Sequence, residues 1–274
     1  MEFGIVVKPG LPKARAASRD ILSFLREQKG AGVVVEKALA RSLKAPAVPL
    51  DKMDVDVLIT VGGDGTVLKA LQEAKGRIFA VNAGVLGFLT EVSIEDAIPG
   101  LKRVLRHNYL VEKRLRLKTV LDGKRLFDST NEAVVHTSET SKMRHYRILL
   151  SGVTVDDVRA DGIIIATPTG STCYAMSSGG PILDPSVGAF VIVPLAPFKM
   201  SARPIVVPSD RKVSITLMDD KPSRLVLDGQ FETQVHAGST VEFSQSESPA
   251  EFIRFSSDFY EHLRSKLQED PFIR

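Results

Sequence analysis

A buried-strand pattern runs directly into a glycine-rich turn and then into a helical pattern, and this junction constrains the fold most strongly. Residues 55–61 are apolar and β-branched, as in a strand covered on both faces. The segment Gly62-Gly63-Asp64-Gly65-Thr66 follows, and residues 67–71 continue at helical spacing. Glycines let the backbone approach a bulky anion, and the N–H groups of a helix start face that anion. The junction therefore predicts a phosphate-binding strand–turn–helix unit.

Asp64 is the unusual member of this segment, because a carboxylate beside phosphates repels them. A carboxylate in such a place is expected to hold a divalent cation or to accept a proton from an attacking hydroxyl group. The alternative is a tight turn without a ligand, since glycine and aspartate dominate turns that need positive φ. The strand before the segment and the helix after it favour the phosphate site.

Strand and helix patterns alternate over the first hundred residues, which is typical of a parallel sheet covered by helices. The patterns predict strands at residues 3–7, 33–35, 55–61 and 78–81, and helices at 14–29 and 94–106. Ligands collect at the carboxyl ends of strands in such sheets. We therefore expect the glycine-rich segment and Asn82-Ala83-Gly84 on one rim.

Short strand patterns separated by turn signals dominate the rest of the chain. A hairpin is predicted from strands 115–121 and 124–127 around Asp122-Gly123, which suits a type I′ turn. Further strands are predicted at 133–136, 147–150, 162–166, 189–193, 205–207, 213–217, 224–227 and 241–243. So many short strands indicate a β-sandwich-like domain.

The predicted organisation is an α/β part followed by an all-β part. Residues 1–106 form a Rossmann-like parallel sheet with helices, and residues 107–253 form the sandwich-like domain. Residues 254–274 carry a final helix at about 257–268, with Phe259, Leu263 and Leu267 on one face. This helix is expected to pack back on the N-terminal domain.

The composition limits the classes of partner. The 274 residues are 43% hydrophobic, enough for one large or two ordinary domains. A formal net charge of +3 does not predict a basic stripe, so we expect no nucleic acid partner. The chain shows no leader pattern or membrane-spanning run, and Cys173 is its single cysteine, so we expect a reducing, cytoplasmic setting without a membrane. The five histidines are dispersed, so no dedicated protein metal site is expected.

Several motifs, in consistent order, resemble the NAD kinase family of archaeal and bacterial type. They are Gly62-Gly63-Asp64-Gly65-Thr66, Asn82-Ala83-Gly84-Val85-Leu86-Gly87-Phe88-Leu89, Asn131-Glu132, Asp161-Gly162, Thr167-Pro168-Thr169-Gly170-Ser171-Thr172-Cys173-Tyr174, Gly179-Gly180-Pro181, Val193-Pro194-Leu195-Ala196-Pro197, Ser201-Ala202-Arg203-Pro204-Ile205-Val206 and Asp228-Gly229. The first motif is shared with phosphofructokinases and lipid kinases, whereas the combination is far more specific.

The resemblance implies transfer of a phosphoryl group from ATP or polyphosphate to the 2′-hydroxyl group of the adenosine ribose of NAD, giving NADP. It implies that Asp64 takes or orients the hydroxyl proton, and that the backbone of Gly62, Gly63, Gly65 and Thr66 cradles phosphates. Mg²⁺ or another divalent cation is expected to arrive with the phosphates, bound mainly by nucleotide oxygens and waters.

For the dinucleotide, the resemblance implies contacts from Asp64, Gly65, Asn131, Glu132 and Asp161. From the residues alone, Asn131-Glu132 is as well explained by a strand end or a helix cap, and Asp161-Gly162 by a plain turn. An amide suits a base edge or a ribose hydroxyl group, and a carboxylate suits a diol.

The resemblance also implies an adenosine pocket formed by Thr169, Thr172 and Tyr174, beside Cys173. Tyr174 could equally stack on a base or fill the core. Cys173 departs from the family, in which alanine is usual, and it is expected to act as a small hydrophobic side chain that is sensitive to thiol reagents. Residues 197–200 also depart, because the family commonly carries a Pro-His pair there.

Three further residues are weaker candidates. Phe88 is a core residue by composition, although the family places the matching aromatic near the substrate. Lys69 and Arg159 are candidate phosphate or dinucleotide contacts, or else solvent-facing charges.

Two other functions stay open at this stage: a lipid or sugar kinase that shares only the first motif, and a dinucleotide sensor without turnover. The many strand edges, together with the family, also predict a homodimer or homotetramer.

Overall fold

The computed structural model describes residues 1–84, 87–139, 142–256 and 259–268. The chain divides into two compact units, Met1–Lys113 with Ala250–Arg274, and Arg114–Pro249. The sequence pattern suggested divisions at 106/107 and 253/254. The structural divisions fall elsewhere because strands on either side of the second unit join the sheet of the first.

In the first unit, the described residues form eight strands in one sheet. The strands are β1 (Glu2–Val7), β2 (Gly32–Glu36), β3 (Ala47–Val48), β4 (Asp54–Gly62), β5 (Lys75–Asn82), β6 (Val92–Ser93), β7 (Leu110–Arg114) and, near the end of the chain, β20 (Ala250–Arg254). Their order is β3-β2-β1-β4-β5-β20-β7, with β6 also on β5. The pairings among β1 to β6, and that of β20 with β5, are parallel.

Helices cover both faces of this sheet. They are α1 (Pro12–Arg26), α2 (Ala40–Leu43), α3 (Asp64–Glu73) and α4 (Ala97–Leu105). One core cluster joins Ile21 of α1 and Leu101 of α4 to Ile59 of β4. Another joins Val67 of α3 to Leu58 of β4. Because neighbouring residues of β4 point to opposite faces, both faces are apolar, as the sequence predicted.

The rim that carries the glycine-rich segment has the predicted arrangement. Strands β4 and β5 are parallel neighbours, and Gly62 is paired with Asn82 at their carboxyl ends. The N–H group of Ala83 donates to the carbonyl of Gly62 at 2.8 Å. The prediction that the two segments share one rim is therefore confirmed.

The second unit contains two six-stranded sheets within its described residues. Its strands are β8 (Leu117–Leu121), β9 (Lys124–Arg125), β10 (Glu132–Thr137), β11 (Arg144–Leu150), β12 (Val153–Ala160), β13 (Gly162–Ala166), β14 (Ala189–Leu195), β15 (Ile205–Pro208), β16 (Val213–Leu217), β17 (Ser223–Leu227), β18 (Phe231–Val235) and β19 (Thr240–Gln245). The sheet orders are β15-β14-β13-β10-β17-β18 and β12-β11-β16-β19-β8-β9. A short helix, α5 (Tyr174–Ser177), follows β13.

Side chains from both sheets meet in one core, as in a sandwich. Val135 and Ile165 contribute from one sheet, and Ile215 and Phe243 from the other. Strands β8 and β9 form the predicted hairpin, with φ of 46° at Asp122 and 80° at Gly123, as a type I′ turn requires. The predicted fold class, an α/β part plus an all-β part, is confirmed.

The chain ends in the predicted helix, α6 (Phe259–Gln268). Residues 257–258, where the prediction began, and the side chain of Leu267 lie outside the described part of the structure.

Candidate active site

Asp64 is the first residue of α3, and its carboxylate is held by the backbone of a neighbouring segment. Its Oδ2 accepts a hydrogen bond from the N–H group of Phe88 at 2.8 Å, and its Oδ1 accepts one from Leu89 at 3.1 Å. The side chain is only half-buried. The carboxylate is therefore fixed in direction and still open to a partner.

The glycines around Asp64 serve close approach rather than unusual dihedral angles. Gly63 has extended backbone, with φ of −118°, and Gly62 is also outside the left-handed region. A Cβ atom on Gly62 would lie 2.2 Å from Oγ1 of Thr66, and one on Gly87 would lie 1.9 Å from Oδ1 of Asp64. A Cβ atom on Gly63 would meet nothing within 4 Å. A need for positive φ therefore does not explain why glycine occupies positions 62 and 63. The space beside Gly63 is open.

Thr66 and Lys69 already have partners inside the first unit. The N–H group of Thr66 donates to the carbonyl of Gly63 at 2.9 Å, which closes the first turn of α3. The Nζ atom of Lys69 lies 2.8 Å from Oε1 of Glu36. Gly65 is exposed at the helix start. The predicted phosphate contacts of these residues stay predictions.

Arg254 of β20 anchors the segment that holds Asp64, a role that the sequence did not suggest. Its Nη1 donates to the carbonyls of Leu89 and Thr90 at 3.3 and 3.4 Å, and to Oε2 of Glu91 at 3.0 Å. Its Nε donates to Oε2 of Glu112 at 2.8 Å. Arg254 and Glu91 are both buried, so this is a desolvated ion pair.

In the second unit, Asp228 organises the backbone around the predicted amide–acid pair. Its buried carboxylate accepts three backbone hydrogen bonds, from Thr130 at 2.7 Å, Asn131 at 2.8 Å and Glu132 at 3.1 Å. Asp228 was absent from the predicted site residues, although its Asp-Gly dipeptide was part of the family pattern. The available signal was an acidic residue directly after a strand.

The carbonyl side of the same backbone is held by the segment after β13. Thr167 donates from Oγ1 to the carbonyl of Thr130 at 2.6 Å, and from its N–H group to the carbonyl of Asn131 at 2.9 Å. A Cβ atom on Gly170 would lie 2.1 Å from the carbonyl oxygen of Asn131. Residue 170 therefore has to be glycine for this segment to pack so closely.

The side chains of Asn131 and Glu132 leave polar atoms unused. Asn131 Oδ1 and Glu132 Oε2 are buried, and neither has a hydrogen-bond partner among the described residues. Buried polar atoms without partners are rare in folded proteins, and they mark places where a ligand or water completes the site. These two atoms are candidates for contacts to a polar ligand.

A cavity of about 540 Å³ opens beside Glu132 within the second unit. It brings together Glu132, Asp161 and Tyr174 of the predicted residues. The other lining residues are Val134, His136, Thr137, Ser138, Glu139, Leu195, Ala196, Val226 and Gly229. Tyr174 is 48% exposed, so it lies at the cavity and does not fill the core.

Glu132, which lines this cavity, and the neighbouring Asp228 have raised pKa values. Burial, followed by the charge of Asp228, raises the pKa of Glu132 to about 8. Burial raises the pKa of Asp228 to about 6, opposed by its three backbone hydrogen bonds and by Arg116. Of these two carboxyl groups, Glu132 therefore keeps its proton to the higher pH.

Other predicted residues lie apart from the cavity lining. Thr169 and Thr172 are buried. Oγ1 of Thr169 accepts a hydrogen bond from Nη1 of Arg114 at 3.4 Å, and Oγ1 of Thr172 donates to the carbonyl of Thr169 at 3.2 Å. Cys173 Sγ accepts from Nδ2 of Asn131 at 3.4 Å. Arg159 is exposed on β12.

Phe88, in the first unit, is half-buried, and its backbone N–H group binds Asp64. Its predicted contact with substrate, like those of Arg159, Thr169 and Thr172, stays a prediction. Among the described residues, no group of three or more His, Cys, Asp or Glu side chains could hold a metal ion. None of the described helices is long and apolar enough to cross a membrane.

Comparison with known proteins accounts for both units. The family model described as the ATP-NAD kinase N-terminal domain matches residues 3–109, and the model of the ATP-NAD kinase C-terminal domain matches residues 130–255. An NAD kinase of Methanothermobacter thermautotrophicus is 40% identical over 276 residues, covering 98% of this chain and 97% of its own. An NAD kinase of Thermoplasma volcanium is 40% identical over 235 residues, covering 85% of this chain and 86% of its own.

Solved structures give the same result. A crystal structure of an NAD kinase from Archaeoglobus fulgidus in complex with ATP superimposes with a TM-score of 0.80 at 29% identity, covering 98% and 99% of the two chains. Yeast NADH kinase complexed with NADH superimposes with a TM-score of 0.89 at 23% identity, covering 100% of this chain and 88% of that one, which shows the common fold.

The fold, the glycine-rich segment with Asp64 and the family models together define a kinase that contains an α/β domain and a β-rich domain. The chain belongs to the NAD kinase family. It is accordingly an enzyme, a phosphotransferase, and the predicted family is confirmed.

Proposed function

We propose that this chain transfers the γ-phosphoryl group of ATP to the 2′-hydroxyl group of the adenosine ribose of NAD, giving NADP. Membership of the NAD kinase family supports the reaction, and the ATP complex of the Archaeoglobus fulgidus relative supports ATP as donor. The observation that carries the catalytic assignment is the carboxylate of Asp64, held by two backbone N–H groups at the start of α3.

Asp64 is the residue assigned to the acceptor hydroxyl group. A ribose hydroxyl is a poor nucleophile at neutral pH, and a carboxylate that accepts its proton makes its oxygen more reactive. The hydrogen bonds from Phe88 and Leu89 fix the carboxylate before substrate arrives, so little reorganisation accompanies the reaction. Asp64 therefore orients the hydroxyl group or takes its proton.

The phosphates are assigned to the turn before α3. Gly63 offers open space, and Gly65 is exposed at the positive end of the helix. Mg²⁺ fits here only as an ion carried by the phosphates, since the described residues offer one acidic side chain at the turn and no cluster of three ligands. When bound, such an ion screens the phosphate charge, and Asp64 is the residue that would assist in holding it.

The dinucleotide is assigned to the second unit's amide–acid pair and cavity. The unused oxygen atoms of Asn131 and Glu132 suit the hydroxyl and amino groups of a nucleoside. Asp161 and Tyr174 line the cavity beside them, and the exposed ring of Tyr174 can stack on a base. Thr169, Thr172 and Cys173 are assigned to the adenosine part of the ligand, and Cys173 contacts this pair through Nδ2 of Asn131.

We also propose a cytoplasmic setting, in keeping with the single cysteine of the chain. Self-association is proposed from the edges of the two sheets in the second unit. Val153 on β12 and Val206 on β15 are 68% and 49% exposed, and both strands are sheet edges. Exposed apolar side chains on edge strands favour pairing with another copy. Sedimentation at assay concentration tests this, and a strictly monomeric result refutes it.

The function is tested by incubating the protein with NAD, Mg²⁺ and either ATP or polyphosphate. We expect NADP with ATP, detected by an NADP-specific dehydrogenase. Parallel reactions with NADH and with Asp64→Asn define the acceptor and the role of the carboxylate. Tight NADP binding without product under any donor would instead indicate a sensor and would refute the proposed reaction.

A further inference from the structure

Asp228 has a buried carboxylate that accepts hydrogen bonds from the backbone that carries Asn131 and Glu132. One oxygen accepts from Thr130, and the other accepts from both Asn131 and Glu132. The backbone N–H group of Asp228 in turn donates to the carbonyl of Glu132 at 3.0 Å. Four hydrogen bonds therefore join one residue to a three-residue segment that lies about a hundred positions earlier in the chain.

The backbone of Asp228 is itself constrained. Its φ is 51°, in the left-handed region that most side chains avoid and that aspartate tolerates better than most. Gly229 follows with φ of 64°, and these two residues begin the three-residue turn between β17 and β18. A residue that is 4% exposed and held in this conformation is maintained by its surroundings.

A carboxylate is required here for a chemical reason. Three N–H donors converge on two oxygen atoms, and every one of them needs an acceptor. An asparagine side chain would turn its NH₂ group toward at least one of these donors. The backbone would then shift, and the side chains of Asn131 and Glu132 would move with it.

We propose that Asp228 is a positioning residue for dinucleotide binding: its carboxylate sets the backbone that aims Asn131 Oδ1 and Glu132 Oε2 at the ligand. This inference rests on the proposed function, because it takes NAD as the ligand of that pair. Asp228 acts through these residues and need not touch the dinucleotide itself.

Asp122 provides a matched control within the same unit. It too precedes a glycine of positive φ in a hairpin turn, with φ of 46°, and its Oδ1 accepts a backbone hydrogen bond, from Thr240 at 2.9 Å. Its turn is exposed, and it does not line the cavity. Asp122→Asn therefore repeats the chemical change of Asp228→Asn without reaching the amide–acid pair.

The charged and titratable groups around Glu132 give a second measurement. Asp228 faces it from the turn after β17, Arg116 stands beside Asp228, and His136, Glu139 and Asp161 line the same cavity. Since the charge of Asp228 contributes to the raised pKa of Glu132, removing that charge lowers the pKa of Glu132. Better solvation of Glu132 would move its pKa in the same direction, because burial is the larger cause of the raised value. The selective rise of KM for NAD over KM for ATP is therefore the deciding measurement.

The experiment compares steady-state kinetics of the full chain with Asp228→Asn and Asp122→Asn. We expect Asp228→Asn to raise KM for NAD on the order of 10- to 100-fold, with KM for ATP unchanged, and to move the Glu132 limb of the kcat/KM profile to lower pH. Asp122→Asn should match wild type in all three quantities.

Unchanged KM for NAD and an unchanged pH profile in Asp228→Asn would overturn the inference, as would equal losses for both substrates. If wild type itself forms no NADP, the proposed function fails first, and the two failures are distinguishable. If Asp228→Asn loses the wild-type circular dichroism spectrum, Asp228→Glu is measured instead. It keeps the charge and displaces the oxygen atoms, so KM for NAD should rise with KM for ATP unchanged, and an unchanged KM for NAD would overturn the inference.

Discussion

A Cβ atom on Gly87 would lie 1.9 Å from Oδ1 of Asp64, so residue 87 and the proposed catalytic carboxylate cannot both keep their places if residue 87 has a side chain. The neighbouring N–H groups of Phe88 and Leu89 hold the same carboxylate. Glycine at position 87 is therefore part of how Asp64 is aimed.

Gly87→Ala should lower kcat about 100-fold, because a displacement of about 1 Å in a catalytic group has an effect of that size. Gly188→Ala is the matched control, since a Cβ atom there would meet only Oγ of Ser209 at an ordinary 3.5 Å. Steady-state assay of both variants decides the point. Wild-type kcat in Gly87→Ala would show that the position of Asp64 is not critical.

Glu132→Gln should stabilise the protein increasingly as the pH rises from 5 to 8. The folded pKa of Glu132, about 8, lies above its ordinary value of 4.5, so the folded protein binds the proton more tightly than the unfolded chain. The free energy of unfolding of wild type accordingly falls across this window, and glutamine removes that loss. Thermal denaturation at several pH values measures the difference in stability between Glu132→Gln and wild type. A difference in Tm that does not grow with pH would contradict a raised pKa.

Alkylation of Cys173 should abolish NAD binding, and bound NAD should slow the alkylation. The thiol lies 3.4 Å from Nδ2 of Asn131, so a group added to sulfur would displace the proposed ligand contact. Cys173 is the single cysteine of the chain, so intact mass reports modification at one site. Cys173→Ala should keep activity in the presence of N-ethylmaleimide. Full alkylation with unchanged activity would show that Cys173 does not lie near the bound ligand.

Arg254→Gln should lower the free energy of unfolding by about 3 kcal/mol, because removing one partner of a buried ion pair leaves an uncompensated charge. Here the charges left behind belong to Glu91 and Glu112. Arg224→Gln, which removes the exposed pair with Glu232, should cost less than about 1 kcal/mol. Urea denaturation of the two variants measures both values. Equal losses would mean that the buried network adds nothing beyond a surface pair.

The sequence was sufficient for features that depend on neighbouring residues. The strand before Gly62 and the Asp122-Gly123 hairpin follow from periodicity and turn chemistry, and both occur in the structure. The shared rim of Gly62 and Asn82 follows from two consecutive parallel strands. Such features need only local spacing and the rules of parallel sheets.

Strands β12 and β18, both at sheet edges, were missed, whereas the edge strands β9 and β15 were predicted. Strand β12 carries Asp156, Asp157 and Arg159 on a largely exposed edge, and β18 alternates exposed polar residues with partly buried ones. Strand β20, with a buried arginine, pairs with a strand more than 160 residues earlier in the chain. Polar edges and distant pairings leave little periodic signal.

The supporting contacts of the site were also beyond local reasoning. Asp228 binds Asn131 across 97 positions, and Arg254 binds Leu89 across 165. No spacing rule connects such residues, because only the assembled sheets bring them together. The motifs supplied the predicted ligand contacts, whereas the structure shows which residues hold the backbone that carries them.

The proposed reaction requires the carboxylate of Asp64 to act in the phosphoryl transfer itself. Its most direct test is the single-turnover rate of Asp64→Asn, measured with NAD and Mg²⁺–ATP both bound at saturation. This rate should be at least about 100-fold below wild type, with dissociation constants for NAD and ATP within a few-fold of wild type. A wild-type rate at saturation, or a loss explained wholly by weaker binding, would contradict it.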